Sequence, residues 1–202
     1  MRSDIREAIL DAVDRRLAQF GYKKMTVEGL ADEAGIGKGT VYLHFPSKEE
    51  AVLSHVDRIV ERLCGRLDTI AAGGEPVDLR VHHMLVERVI FRLSAVQHYK
   101  QSLDDLLSGI RPMLLDRRQR HFAREADRFE RVLSEGRKTG VFGPVRVPTT
   151  ARALIEATNA LLPYSLSPQE LGDLAEVRRR AVAIADLLVA GLRTLGSGAS
   201  AP

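Results

Sequence analysis

Residues 25–50, MTVEGLADEAGIGKGTVYLHFPSKEE, constrain the fold most, because they predict two short helices joined at a glycine. Thr26 is a good N-cap, apolar residues follow it at helical spacing, and Gly35 supplies a left-handed residue that ends the first helix. A second short helix can then run from Gly37 to His44. This arrangement is typical of a helix-turn-helix.

The predicted second helix leaves most of its side chains in solvent. Val41 and Leu43 are its only candidates for burial, and Phe45, just after it, is assigned to the core. No acidic residue lies between Gly35 and Ser47, although acidic residues flank this segment on both sides. A polyanion could approach here. Residues 1–50 carry eight Lys and Arg against nine Asp and Glu, so any such attraction depends on where the charges lie.

The run GIGKGTVYLHFPSKEE, preceded by FGYKKMT, resembles the TetR family of bacterial one-component transcriptional regulators. The shared pattern is G-x-x-x-G-T-x-Y-x-H-F followed by S-K-E-E, and it covers about the first quarter of the chain. The remainder agrees with the family only in length and helical layout. The resemblance implies a DNA-binding head, an effector-binding body, and a dimer in which the last two helices of each copy form a four-helix bundle.

Individual side chains of the short helix suit DNA contact. Lys38 can reach a guanine edge or a phosphate, and the hydroxyls of Thr40 and Tyr42 can reach phosphate or thymine. Lys48 lies in the first turn of the next helix, where its charge opposes the helix dipole unless a phosphate is near. The glycines would let the backbone approach DNA, or they mark only a loose helix start. The predicted DNA-binding residues, which also match family positions, are Thr26, Gly37, Lys38, Gly39, Thr40, Tyr42, His44 and Lys48.

Apolar periodicity predicts an all-α chain of about nine helices with no convincing strand. Ser47 and Ser167 each begin a capping box, and Pro112 is assigned to the first turn of a long helix. The first helix is expected to stop at Gly21, a helix that starts at Thr149 or Thr150 to end at about Leu162, and the last helix to end at Leu195. The predicted domains are a helix-turn-helix DNA-binding domain at 1–48, a connecting helix at 49–70, an effector-binding and dimerisation domain at 71–195, and a disordered tail at 196–202.

An effector chamber is expected between Val77 and Leu162. Asn159 is a good polar candidate because it interrupts an apolar run, and a buried amide needs partners. The apolar candidates could equally be simple core, His121 could satisfy a carbonyl, and Arg117 could belong to a solvated face with the neighbouring arginines. The predicted ligand-binding residues are Phe91, Tyr99, Met113, Arg117, His121, Phe122 and Asn159.

The last helix carries an apolar seam with alternating steps of three and four residues, which suits helix packing. The seam could be core within one subunit or an interface between two. Small residues along it favour the second interpretation, because they permit close approach. The predicted dimer-interface residues are Leu154, Leu161, Leu174, Val177, Ala181, Ile184 and Leu188.

Several functional classes lack their motifs here. There is no nucleophile elbow, H-E-x-x-H, Walker loop or dinucleotide-binding glycine pattern, so an enzyme is not favoured. No metal site or cofactor is predicted, and Cys64 is the single cysteine. We expect a cytoplasmic, dimeric repressor that binds a palindromic DNA operator and is released by a small-molecule effector. A helical interaction protein that no longer binds DNA is the other alternative.

Overall fold

The computed structural model describes residues 2–197, so most of the predicted tail, residues 198–202, lies outside the described part. Within residues 2–197 the chain forms nine α-helices and no strand, which confirms the predicted all-α class. The helices are α1 Arg2–Lys24, α2 Val27–Ala34, α3 Lys38–His44, α4 Lys48–Ala71, α5 Val77–Val96, α6 Leu103–Lys138, α7 Val147–Ala157, α8 Pro168–Leu171 and α9 Leu174–Ser197.

The first three helices form a small unit around α1. Ile9, Val13 and Leu17 of α1 are at most 1% exposed, and Val41 and Phe45 close the same core from the far side. The predicted stop of α1 coincides with a break at Gly21, whose φ of 71° only glycine adopts readily. This packing fixes the orientation of α2 and α3.

Helix α4 connects this unit to a larger body. It begins at the predicted cap, where the Ser47 hydroxyl accepts a hydrogen bond from the Glu50 backbone N–H at 3.1 Å. Its 24 residues span about 36 Å and pack along both α5 and α6. The second predicted cap, Ser167 with Glu170, is also present, but it begins the separate short helix α8.

Three helix boundaries differ from the prediction, the smallest difference being that α9 continues past the expected Leu195 to Ser197. Pro112 lies inside α6, which is continuous from Leu103 to Lys138. Pro112 has no N–H to donate to the carbonyl of Ser108, four residues earlier. Both residues are exposed, so water can donate to that carbonyl instead. In addition, α7 ends at Ala157, earlier than the expected Leu162, and a 3-10 turn at Asn159–Leu161 follows it.

The body encloses a buried ionic cluster that sequence reasoning missed. Arg88 is fully buried, and its Nε donates to Glu125 Oε2 at 2.6 Å. Its two terminal nitrogens donate to Thr158 Oγ1 at 2.5 Å and Asn159 Oδ1 at 2.9 Å. Arg92 donates to the other oxygen of Glu125. The sequence signal was a pair of arginines four residues apart, Arg88 and Arg92, within the largely apolar second half of α5.

None of the helices in the described part of the chain combines the length and apolar character needed to cross a membrane.

Candidate nucleic-acid interface and effector pocket

The helix-turn-helix forms as its caps predict. Thr26 Oγ1 accepts a hydrogen bond from the Gly29 N–H at 3.0 Å, which starts α2. Gly35 ends α2 with a φ of 67°, and the chain re-enters a helix at Lys38. Val41 is the buried residue of α3. A short helix is thereby anchored through one side and left open on the other.

The open side of α3 is more exposed than predicted. Tyr42 is 47% exposed and Leu43 is 79% exposed, so the expectation that Leu43 joins the core is wrong. The seven-residue helix makes two turns, and Val41 and Phe45 already fill the space against α1 and α2. A Cβ placed on Gly39 would meet no atom within 4 Å, so the fold itself does not require a glycine there.

Lys38 has a partner that the sequence did not reveal. Its Nζ forms an ion pair with Glu28 of α2 and lies 5.9 Å from the centre of the Tyr42 ring. The hydrogen bond between Lys38 and Glu28 raises the pKa of Lys38 and lowers the pKa of Glu28. Both side chains are exposed, so the pair is weak and easily exchanged for another anion.

Lys48 is held in place at the start of α4. Its Nζ donates to the Tyr22 carbonyl at 3.3 Å and lies 4.2 Å from the centre of the Tyr22 ring. The Tyr22 hydroxyl donates to Glu49 Oε1 at 3.0 Å, and burial together with this bond raises the pKa of Tyr22 to about 12. The Lys48 ammonium group is therefore oriented by both a carbonyl oxygen and an aromatic ring.

Two further predicted DNA-binding residues, Thr40 and His44, are half-buried. The Thr40 hydroxyl lies close to the helix start, 4.0 Å from where a Gly37 Cβ would stand. His44 has its ring 6.4 Å from that of Phe45, so both alternatives for it, phosphate donor and structural residue, stay open.

A cavity of about 130 Å³ lies between α4, α5 and α6. It is lined by three of the predicted ligand-binding residues, Tyr99, His121 and Phe122, and otherwise mainly by aliphatic side chains. Sequence reasoning missed its most polar members, which are Arg92, Arg111, Arg118 and Tyr164.

Four predicted ligand-binding residues lie away from this cavity. Met113 is 39% exposed on α6, and Phe91 packs near Arg66, whose guanidinium carbon is 5.6 Å from the ring centre. Arg117 turns to α4, where it donates to Asp57 at 2.5 Å and to Glu50 at 2.5 and 2.7 Å. Asn159 is engaged by Arg88. The prediction is corrected for these four because each side chain is directed to another partner or to solvent.

The predicted dimer seam is mostly core of the subunit itself. Leu161, Val177 and Ala181 are at most 1% exposed within the single chain, so they cannot also pack on a partner, whereas Leu154 is 3% exposed and lines a groove at the surface. This part of the interface prediction is corrected. Leu174, Ile184 and Leu188 are half-buried at the edge of the core.

Another face of α9 is apolar and open. Leu187 is 76% exposed, and it borders a shallow groove with Leu188 and Gly191 of α9 and Ala153 of α7. This groove is also lined by Leu154, so an interface here would keep two of the predicted residues, Leu154 and Leu188, and add Leu187 and Gly191.

Comparison with known proteins places this architecture. Residues 9–54 match the family described as bacterial regulatory proteins, tetR family. Over 92 residues the chain is 32% identical to the uncharacterized HTH-type transcriptional regulator YhgD of Bacillus subtilis. That alignment covers 46% of this chain and 48% of YhgD, so the chain matches about half the length of that relative.

Two solved structures share the fold of nearly the whole chain. A transcriptional regulator from Cytophaga hutchinsonii has a TM-score of 0.76 at 18% identity, covering 93% of this chain and 97% of its own. SmeT in complex with triclosan has a TM-score of 0.66 at 24% identity, covering 93% of this chain and 90% of its own. Residues 9–54 therefore match the DNA-binding segment of bacterial regulatory proteins of the tetR family, and the chain as a whole has the fold of these solved regulators.

Proposed function

We propose that this protein is a dimeric, ligand-responsive transcriptional repressor that binds a palindromic operator through α3 and is released by a small molecule bound between α4, α5 and α6. The observation that carries this proposal is the open face of α3, which is fixed from behind by Val41 and presents Lys38 and Tyr42 outward. It would act in the cytoplasm, where operator DNA is found.

The start of α3 suits a phosphate. Gly37 provides no side-chain cap, so the first N–H groups of the helix are available to an external acceptor. Because a Cβ on Gly39 would contact nothing within 4 Å in the chain, its absence leaves room for DNA backbone. Lys48, held on Tyr22, would supply a second and pre-oriented phosphate contact.

Two heads are needed for useful specificity. Few side chains of α3 can read base edges, so a single head would discriminate poorly between sequences. A dimer places two such helices about 34–36 Å apart, one DNA turn, and makes half-site spacing part of recognition. The apolar face around Leu187 is a suitable contact for the second copy, because a large exposed apolar side chain gains by burial.

Helix α6 offers a physical connection between pocket and head. Ile110 lines the cavity, while its neighbour Gly109 lies so close to the Tyr22 ring that an added Cβ would overlap it. A ligand that displaces this part of α6 would therefore move Tyr22, and with it Lys48. A tenfold loss of DNA affinity requires only about 1.4 kcal/mol of difference between the two states. The complex of SmeT with triclosan is a precedent for a small molecule bound by a protein of this fold.

DNA binding is tested by fluorescence anisotropy on duplexes tiled across the region flanking the gene, at several salt concentrations. We expect saturable binding to one palindromic tile, weaker for Lys38→Ala and Lys48→Ala, with the salt slope of each reduced by about one. Lys138→Ala is the matched control, because it removes a lysine about 40 Å further along α6 from Gly109. If no tile and no sequence selected from a random pool binds in a salt-dependent manner, a protein-interaction function replaces this proposal.

The dimer is tested separately by sedimentation. We expect Leu187→Arg to convert the dimer to a monomer, whereas Met113→Arg, at another exposed apolar position, on α6, leaves it intact. A dimer of unchanged mass in Leu187→Arg would show that this face of α9 is not the interface.

A further inference from the structure

The titratable side chains among the described residues that line the cavity between α4, α5 and α6 include several basic ones and no carboxylate. Arg92, Arg111, Arg118 and His121 line it, and no Asp or Glu is among its described lining residues. The rest of the wall is apolar, formed largely by leucine, valine and isoleucine side chains. A ligand for this cavity needs an apolar body and a group that accepts hydrogen bonds from cations.

Two of these basic side chains already have a carboxylate partner in the protein. Arg92 donates to Glu125, and His121 Nε2 lies 2.7 Å from Asp57 Oδ1. Each therefore already faces a carboxylate of the protein, which repels an anionic ligand. The stronger candidates for recognition are the residues of the wall that face no carboxylate.

Arg118 and Tyr164 are the available pair. The Nε of Arg118 and the hydroxyl of Tyr164 are both buried, and neither has a hydrogen-bond partner among the described residues. The Arg118 guanidinium carbon lies 5.9 Å from the centre of the Tyr164 ring and 5.7 Å from that of Phe122, so the three side chains form one corner of the cavity. Burial raises the pKa of Tyr164, which keeps its hydroxyl a donor at neutral pH.

Leaving two buried donors unsatisfied is costly, and an arginine without an anion in an apolar wall more so. A carboxylate accepts from a guanidinium N–H and a phenol O–H at once, with charge-assisted bonds about twice as strong as neutral ones. We propose that the effector is an apolar monocarboxylate whose carboxylate is bound by Arg118 and Tyr164. This assignment rests on the proposed ligand-responsive function and names its ligand class.

The size of the cavity limits the apolar body. At about 130 Å³ it is close to an engineered apolar cavity of about 150 Å³ that accommodates a benzene ring. We therefore assign a body of about six to eight carbons, either a ring or a short chain. Arg111 and Leu115 are exposed members of the wall and mark its open side, where a longer chain would have to leave the protein.

The test is isothermal titration of the DNA-free protein with octanoate, octan-1-ol and hexadecanoate. We expect octanoate to bind at least about tenfold more tightly than the other two, because the alcohol lacks the charge and the long chain exceeds the cavity. Arg118→Gln and Tyr164→Phe should each weaken octanoate by about tenfold while leaving octan-1-ol unchanged. Arg120→Gln, an equal charge change at an exposed position of the same helix, should have no effect.

Equal affinity for octanoate and octan-1-ol, or equal octanoate binding by Arg118→Gln and wild type, would overturn the assignment. Circular dichroism of each variant shows whether it is folded, and Tyr164→Phe provides an independent substitution if Arg118→Gln is not. Because no DNA is present, this result is separate from the proposed function. Octanoate that binds through Arg118 yet fails to release operator DNA would support the ligand site and contradict the release mechanism.

Discussion

Glu125→Gln tests the buried ionic cluster that joins α5, α6 and the end of α7. Glu125 and Arg88 are fully buried, and Arg92 is nearly so; within residues 2–197, Glu125 is the carboxylate that pairs with both of these enclosed guanidinium groups. Glutamine preserves the volume and one acceptor oxygen, so the substitution removes charge rather than packing. The two arginines would remain buried without an anion.

Removing one partner of a buried ion pair typically costs about 3–5 kcal/mol, out of a total stability of about 5–15 kcal/mol for a domain. For a chain of this size that loss corresponds to a fall in Tm of about 6–20 °C. The assay is urea unfolding followed by circular dichroism, at one protein concentration because a dimer's stability depends on it. Glu130→Gln, a half-buried position on the same helix, is the matched control. A loss below about 1 kcal/mol for Glu125→Gln would refute the argument, since it would mean that water reaches the cluster.

Two further substitutions test packing and pH dependence. Gly136→Ala should lower the free energy of unfolding by about 1 kcal/mol in thermal denaturation, because its Cβ would overlap the buried Phe142 ring and overpacking outweighs the gain in helix propensity. Gly65→Ala, in open space on α4, should raise stability instead, and the same sign for both would contradict this reasoning. Burial by itself would raise the pKa of Asp57, but the hydrogen bond from His121 and nearby positive charge outweigh burial and hold this pKa below its ordinary value. A carboxyl group whose pKa is lower in the folded state stabilises the fold at pH values above its unfolded pKa, and this stabilisation is lost as the pH falls through the folded pKa. Asp57→Asn should therefore be less stable than wild type at pH 7 and equally stable at about pH 2. A difference that persists at the acidic end in chemical denaturation would rule out this linkage.

Much of the helix-turn-helix and its caps could be predicted from sequence, because each depends on residues within one helical turn. Thr26 caps α2, Gly35 ends it, and Ser47 begins α4, all as expected. The family resemblance rests on the same local segment. The all-α class followed from apolar periodicity, which needs no knowledge of the neighbouring helix.

The partners of each helix face required the tertiary structure. Arg117 and Arg118 are adjacent in sequence and about 100° apart on α6, yet one pairs with α4 and the other lines the cavity. Likewise, the periodicity of α9 indicated an apolar seam without deciding that Val177 and Ala181 are covered by the same subunit.

What the sequence determined by itself is therefore the set of local conformations: where helices begin, where they end, and which side of each is apolar. What only the tertiary structure decided is which groups meet across helices, including the Lys38–Glu28 pair, and which do not, including the Arg118 Nε and the Tyr164 hydroxyl, which lack a hydrogen-bond partner among the described residues. The physical reason is the separation along the chain of the residues that interact. Caps and turns are settled by hydrogen bonds between near neighbours, whereas a side chain's partner depends on the packing of helices far apart in sequence.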